Sequence, residues 1–124
     1  MNDKILDTPH CYFELKDGIV FGTYKGKITL EAAKMVVRTR LELTEGKSCP
    51  VFGQGINVSV IDKDAREYFA SDEALKGIKA GAFYVDSVFQ SFLLNFAFKI
   101  SKPNVPTKIF NDKKKALKWL GQYK

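Results

Sequence analysis

The side chains best equipped for chemistry fall in a few places. His10 and Cys11 adjoin near the start, Asp62, Lys63, Asp64 and Arg66 form a tight mixed-charge cluster, and Asp86 precedes Ser87. A cysteine beside a histidine holds the elements of a thiolate nucleophile and its base, but activation also needs a third group to orient the base. His10 is the chain's only histidine and sits in a segment (residues 1–9 and what adjoins it) expected to fray. The pair is therefore read as incidental. No set of histidine, cysteine and carboxylate residues has metal-ligand spacing, so no metal, cofactor or catalytic residue is assigned and no enzyme is expected. Gly53-Gln54-Gly55 could let a ligand approach the backbone, yet a lone G-x-G more often marks a bulge or close packing.

Asp62, Lys63, Asp64 and Arg66 are expected after one interior strand, with Asp86 and Ser87 after its neighbour. In open α/β sheets that rim is where ligands bind, which makes these six residues the candidate ligand or partner loop. The plainer alternative makes Asp62 and Ser87 helix N-caps and leaves Lys63 and Arg66 solvated. Caps explain the residues without a ligand, and this reading is preferred.

The elements that must position them can be read from pattern. With 124 residues, 45% hydrophobic and 27% charged, the chain has the size and composition of one globular domain, residues 1–124. Cys11 and Cys49 lack redox spacing and are expected as reduced, buried thiols. The opening MNDKILDTPH is too polar for a secretory leader, and a cytoplasmic location is expected. No apolar run approaches the roughly 20 residues of a membrane span.

Cys11 to Leu15 and Ile19 to Tyr24 are β-rich and flank Asp17-Gly18, a hairpin turn signal. Thr29 is placed to cap a helix with Leu30, Ala33, Val37 and Leu41 on one face, and Gly46 to stop it. Val51-Phe52 and Ile56 to Val58 read as a central strand broken by Gly53 and Gly55. A helix after Asp62, a short helical piece from Asp72 to Lys76 and a strand from Ile78 to Val85 follow. Ser87 and Gln90 fit a capping box for a helix over 88–102, which Pro103 ends. Val105 to Phe110 then forms the last strand, and Asn111 caps a final helix carrying Ala116, Trp119, Leu120 and Tyr123. The order β-β-α-β-α-β-α-β-α implies an α/β domain with a mixed, mostly parallel sheet of about five strands and an N-terminal hairpin.

This order resembles the STAS fold, named for sulphate transporters and anti-sigma-factor antagonists. Three stretches are similar to a small bacterial branch of STAS-like proteins: AREYFAS (Ala65 to Ser71), Asp86-Ser87 with Asn95-Phe96, and KPNVPTKIF (Lys102 to Phe110) running into ALKWL. The resemblance implies an interaction module. In the family's antagonists the loop after the central strand carries Asp-Ser-Ser/Thr-Gly, whose second hydroxyl residue is phosphorylated. Here Asp62 matches the acidic residue, but Asp64 stands at the hydroxyl position and Ala65 at the glycine. A carboxylate accepts no phosphate from a serine kinase and imitates the phosphate's charge poorly, so the switch is not expected.

Projection of 88–102 at helical spacing gathers Phe89, Phe92, Leu93, Phe96 and Ile100 in a single core-facing stripe. Leu94 and Phe98 fall together on the far side. They are ordinary surface hydrophobics, a homodimer or partner interface, or the wall of a site for an apolar, lipid-like ligand. The net charge of +6 is densest at Lys113 to Lys115 with Lys118 and Lys124. No aromatic residues interleave with that run on its own face, so it reads as a solvated helix face and nucleic acid is not an expected partner. The function expected is a non-enzymatic STAS-like module that binds a protein partner or itself; the alternative is a carrier of a small apolar ligand beside helix 88–102.

Overall fold

Asp17 and Gly18 both adopt positive φ, 54° and 76°, as a two-residue primed turn requires. They join β2 (Cys11–Lys16) to β3 (Ile19–Ile28) in antiparallel register. The structure is a computed structural model that describes residues 3–86 and 104–124. The expected helix 88–102, with Ser87, Leu94 and Phe98, lies outside those residues.

A strand precedes the hairpin. β1 (Lys4–Asp7) pairs antiparallel with β2 and places Leu6 opposite Phe13. The expectation of a frayed segment over 1–9 is thus corrected at residues 4–7. The Thr8 hydroxyl holds the turn, accepting from the backbone N–H groups of His10 at 3.3 Å and Cys11 at 3.0 Å.

α1 (Leu30–Thr44) begins as expected, with the Thr29 hydroxyl accepting from Ala32 N–H at 3.2 Å. It ends through positive φ at Glu45 and Gly46, and Gly46 N–H bonds back to the Leu41 carbonyl at 3.0 Å. Its buried face keeps Ala33 and Val37 of the expected stripe, leaves Leu30 and Leu41 half-buried, and adds Ala32, Val36, Leu43, Thr44 and a charged residue, Arg40.

β4 (Cys49–Ile61) is one strand of 13 residues, not two pieces interrupted at Gly53 and Gly55. Parallel pairing with β3 at both glycines, and with β5 (Ile78–Tyr84) at Gly53, supplies what they lack in strand propensity. Between β4 and β5 lie α2 (Lys63–Phe69) and α3 (Asp72–Leu75). β6 (Thr107–Phe110) pairs parallel with β5, and α4 (Lys113–Leu120) follows. The cap of α4 is Asp112 rather than Asn111, its carboxylate accepting from the N–H groups of Lys114 at 2.8 Å and Lys115 at 3.3 Å.

Among the described residues six strands form one mixed sheet in chain order, against about five expected. On one face the core gathers Cys11, Phe13, Leu15, Val20 and Val51 beneath Val36 and Leu43 of α1. Ala65 of α2 joins Ile28, Ala32 and Ala33 farther along. On the other face Ala116 and Leu120 of α4 cover Ile19, Phe52, Ala80 and Ala82. Each fully buried side chain as large as Phe13 contributes about 2–3 kcal/mol.

Candidate functional site

The strand ends that lead into the two halves of the expected rim are offset. β5 ends with Tyr84 opposite Gln54, whereas β4 continues to Ile61, which lies opposite Ile28. Measured along β3 from Thr23, the partner of Gln54, to Ile28, the overrun is five residues, about 16 Å. Two register shifts, at Lys25/Gly26 and Gly26/Lys27, place extra β4 residues in that stretch. Asp86, exposed two residues after β5 ends, and Asp62, one residue after β4 ends, therefore follow strand ends that are offset along the sheet, and Ser87 lies outside the described residues.

The cluster itself serves local structure. Asp62 occupies the N-cap position of α2, but its side chain accepts no capping hydrogen bond, which corrects the expected role in part. Its backbone N–H bonds instead to the Ile28 carbonyl at 3.0 Å, closing the end of the β3–β4 arm. The Arg66 guanidinium donates from Nη1 to the Ile61 carbonyl at 2.7 Å. Lys63 reaches Glu67 at 4.0 Å, an exposed pair one helical turn apart, of a type that contributes only tenths of a kcal/mol. Asp64 is exposed in the first turn of α2. Arg66 is thus more engaged than the solvated residue expected, and the loop is assembled as a helix entry.

Cys11 is fully buried, and its thiol donates to the Tyr12 carbonyl at 3.7 Å. Burial pushes its pKa up to about 12, against a smaller opposing pull from Lys25. Thiolate chemistry is suppressed there at neutral pH. Cys49 is also a free, buried thiol, as expected of both cysteines. Among the described residues no group of three or more histidine, cysteine or carboxylate side chains could hold a metal ion.

Arg40 is a residue that the sequence reading passed over. Its Nη2 donates to two backbone carbonyls, Ala74 at 2.9 Å and Lys76 at 2.6 Å. Desolvation lowers its pKa, and the nearby Tyr24 and Tyr68 oppose that shift. The available signal was its spacing, three residues after Val37 and seven after Ala33, on the stripe that faces the sheet. Gly53 resolves in favour of close packing: a Cβ there would stand 2.9 Å from the Phe83 ring and 3.1 Å from the Tyr24 ring.

The C-terminal edge departs most from the sequence reading. Phe110 of β6 stacks at 5.8 Å on Trp119 of α4, which in turn meets Tyr123 at 5.1 Å. Lys108 stands over the Trp119 ring at 5.8 Å and Lys113 over Tyr84 at 5.2 Å. Aromatic rings and lysines therefore do interleave. They come from β5, β6 and α4 together, so projecting the final helix alone could not reveal the arrangement.

A hollow of about 520 Å³ opens beside β1, lined by Leu6, Leu43 and Ile5 but also by Lys4, Glu42 and Glu45. A Lys4–Glu45 ion pair at 3.2 Å joins two of its walls. No helix among the described residues is long and apolar enough to cross a membrane.

Comparison with known proteins adds a family and a fold. The family model for a domain of unknown function, DUF7793, matches residues 13–124. No curated protein matches the chain. Among solved structures, the chain is similar to an uncharacterized protein of the DUF3478 family from Shewanella loihica PV-4, described as having a SpoIIAA-like fold. The two share 16% identity at a TM-score of 0.59, over 96% of this chain and 92% of that one. The fold expected from the order of elements is therefore found: the chain has a SpoIIAA-like, STAS-type α/β fold.

Proposed function

We propose, from the premise that the chain belongs to the DUF7793 family, that it is a non-enzymatic interaction module that binds a protein partner or a second copy of itself. The observation that carries this reading is an uncovered apolar position at the sheet's antiparallel edge. By register, Ile5, Glu14, Phe21 and Phe52 form one row across β1 to β4. α4 covers the Phe52 end of that row, while Ile5 at the other end is 57% exposed. A large apolar side chain left wet on an edge strand is favourable to cover, and partner proteins do so with the strand edge or the sheet face.

The engagement of Asp62 and Arg66 in the entry to α2 supports a module without the phosphorylation switch, as does Asp64 at the acceptor position. Leu94 and Phe98 remain the proposed self-association spot on the strength of their spacing alone.

Sedimentation velocity across a concentration series tests the reading. Self-association that is weakened by Ile5→Glu or Phe98→Glu, with the circular dichroism spectrum unchanged, is the expected result for a homodimer. A chain that stays monomeric at every concentration, and co-purifies from its own cells with no protein, would contradict the proposal. A reproducible apolar small molecule retained by such a monomer would identify a carrier instead.

A further inference from the structure

We infer that the β6–α4 edge is the docking surface for an acidic protein segment, an inference that rests on the interaction-module reading and names the chemistry of its partner. The net charge is concentrated there. Of the chain's 20 cationic and 14 acidic residues, Lys108, Lys113, Lys114, Lys115, Lys118 and Lys124 follow Pro106 with Asp112 as the single acid, so this short stretch holds five of the six net positive charges. Asp112 is itself occupied as the cap of α4. All six lysines are exposed. A positive field so confined attracts and orients an anionic partner, and complementary charge acts chiefly on encounter rate and choice of partner.

The rings decide among polyanions. Trp119, Phe110 and Tyr123 form a half-buried aromatic row within this field. For single-stranded nucleic acid such rings must offer open faces to bases, but Lys108 stands over Trp119 and Lys113 over Tyr84. For a lipid surface an exposed apolar side chain must insert, and the large exposed hydrophobics among the described residues, Ile5 and Val60, are not on this edge. A mixed surface of lysine ends and aromatic edges instead suits a protein segment whose carboxylates meet Lys108 and Lys113 while its apolar side chains lie along Trp119 and Tyr123. Aromatic residues at the centre with charges around them are the usual anatomy of such contacts.

The test uses the full chain and a fluorescein-labelled peptide alternating glutamate with valine, followed by anisotropy at low and physiological salt. Binding is expected, weakened about tenfold by the double change Lys108→Glu with Lys113→Glu. The double change Lys34→Glu with Lys47→Glu, equal in charge but placed at the α1 side, is expected to leave affinity within about twofold. Equal loss in both variants would overturn the inference, because net charge alone would then account for binding. Absence of peptide binding would also overturn it; a chain that still self-associates would leave the interaction-module reading standing. Tighter binding to oligo-deoxythymidylate with quenching of Trp119, or to phosphatidylserine vesicles with a blue shift of its emission, would reassign the surface to nucleic acid or lipid.

Discussion

Arg40 donates from Nη2 to the carbonyl oxygen of Ala74 at 2.9 Å, joining the middle of α1 to the end of α3. The same nitrogen reaches the Lys76 carbonyl, so a single guanidinium fixes the entry to β5 beneath a helix. Removing it leaves two carbonyls without that donor and a cavity where the side chain lay. Arg40→Ala is expected to lower stability by about 2–4 kcal/mol. Arg40→Lys should recover only part of this, since an ammonium lacks the planar fork. Chemical denaturation measures both; an Arg40→Ala midpoint equal to wild type would show that the contacts contribute nothing net.

Gly53 packs where no side chain fits. Its missing Cβ would meet the Phe83 ring at 2.9 Å on one strand and Tyr24 at 3.1 Å on the other. Gly53→Ala should cost about 1–3 kcal/mol through overpacking. Gly121, with φ −56° and nothing within 4 Å of its Cβ position, is the control: Gly121→Ala should be neutral or slightly stabilising. Equal melting temperatures for the two variants would refute the packing argument.

Cys11 should make the fold sensitive to alkali. Burial raises its thiol from 9.0 to about 12 in the folded chain, and Tyr24 shifts upward for the same reason. Both groups are held neutral by folding, so their contribution is complete below the unfolded pKa values. It is lost as pH rises, because the unfolded chain then binds fewer protons than the native one. For Cys11 the window runs from about pH 9 to about pH 12. Each pH step of one unit there costs up to about 1.4 kcal/mol per group. Denaturation at pH 8 and pH 10.5 checks the sign, and Cys11→Ala should flatten the dependence.

The loop before α2 should carry no regulatory phosphate. Asp64 occupies the acceptor position of the STAS antagonists, and Ser59, three residues before Asp62, is out of register with it. Intact mass and peptide mapping of protein from cells should find Ser59 unmodified; stoichiometric phosphate on it would defeat the expectation.

Much of the fold was legible because its signals are local. Asp17-Gly18 fixes a primed turn, Thr29 and Gly46 bracket α1, and alternating strands and helices imply parallel neighbours. What could not be read depends on partners distant in sequence. β1 is only four residues with little burial, and its pairing with β2 is what makes it a strand. β4 contains two glycines and is continuous because β3 pairs along it through both, with β5 on the other side as far as Gln54. Asn111 and Asp112 are adjacent cap formers, and only the backbone geometry chooses between them. The offset within the candidate rim is hidden for a related reason: strand order places Asp62 and Asp86 after neighbouring strands, but only the pairing shows that β4 runs on past the level of Tyr84.

Native mass spectrometry of the full chain, purified gently from its own cells, tests the interaction-module account most directly. The account predicts a dimer mass or a complex with another polypeptide, and no small-molecule adduct that persists across preparations. A monomer carrying a reproducible small-molecule adduct would contradict it and establish a carrier in its place.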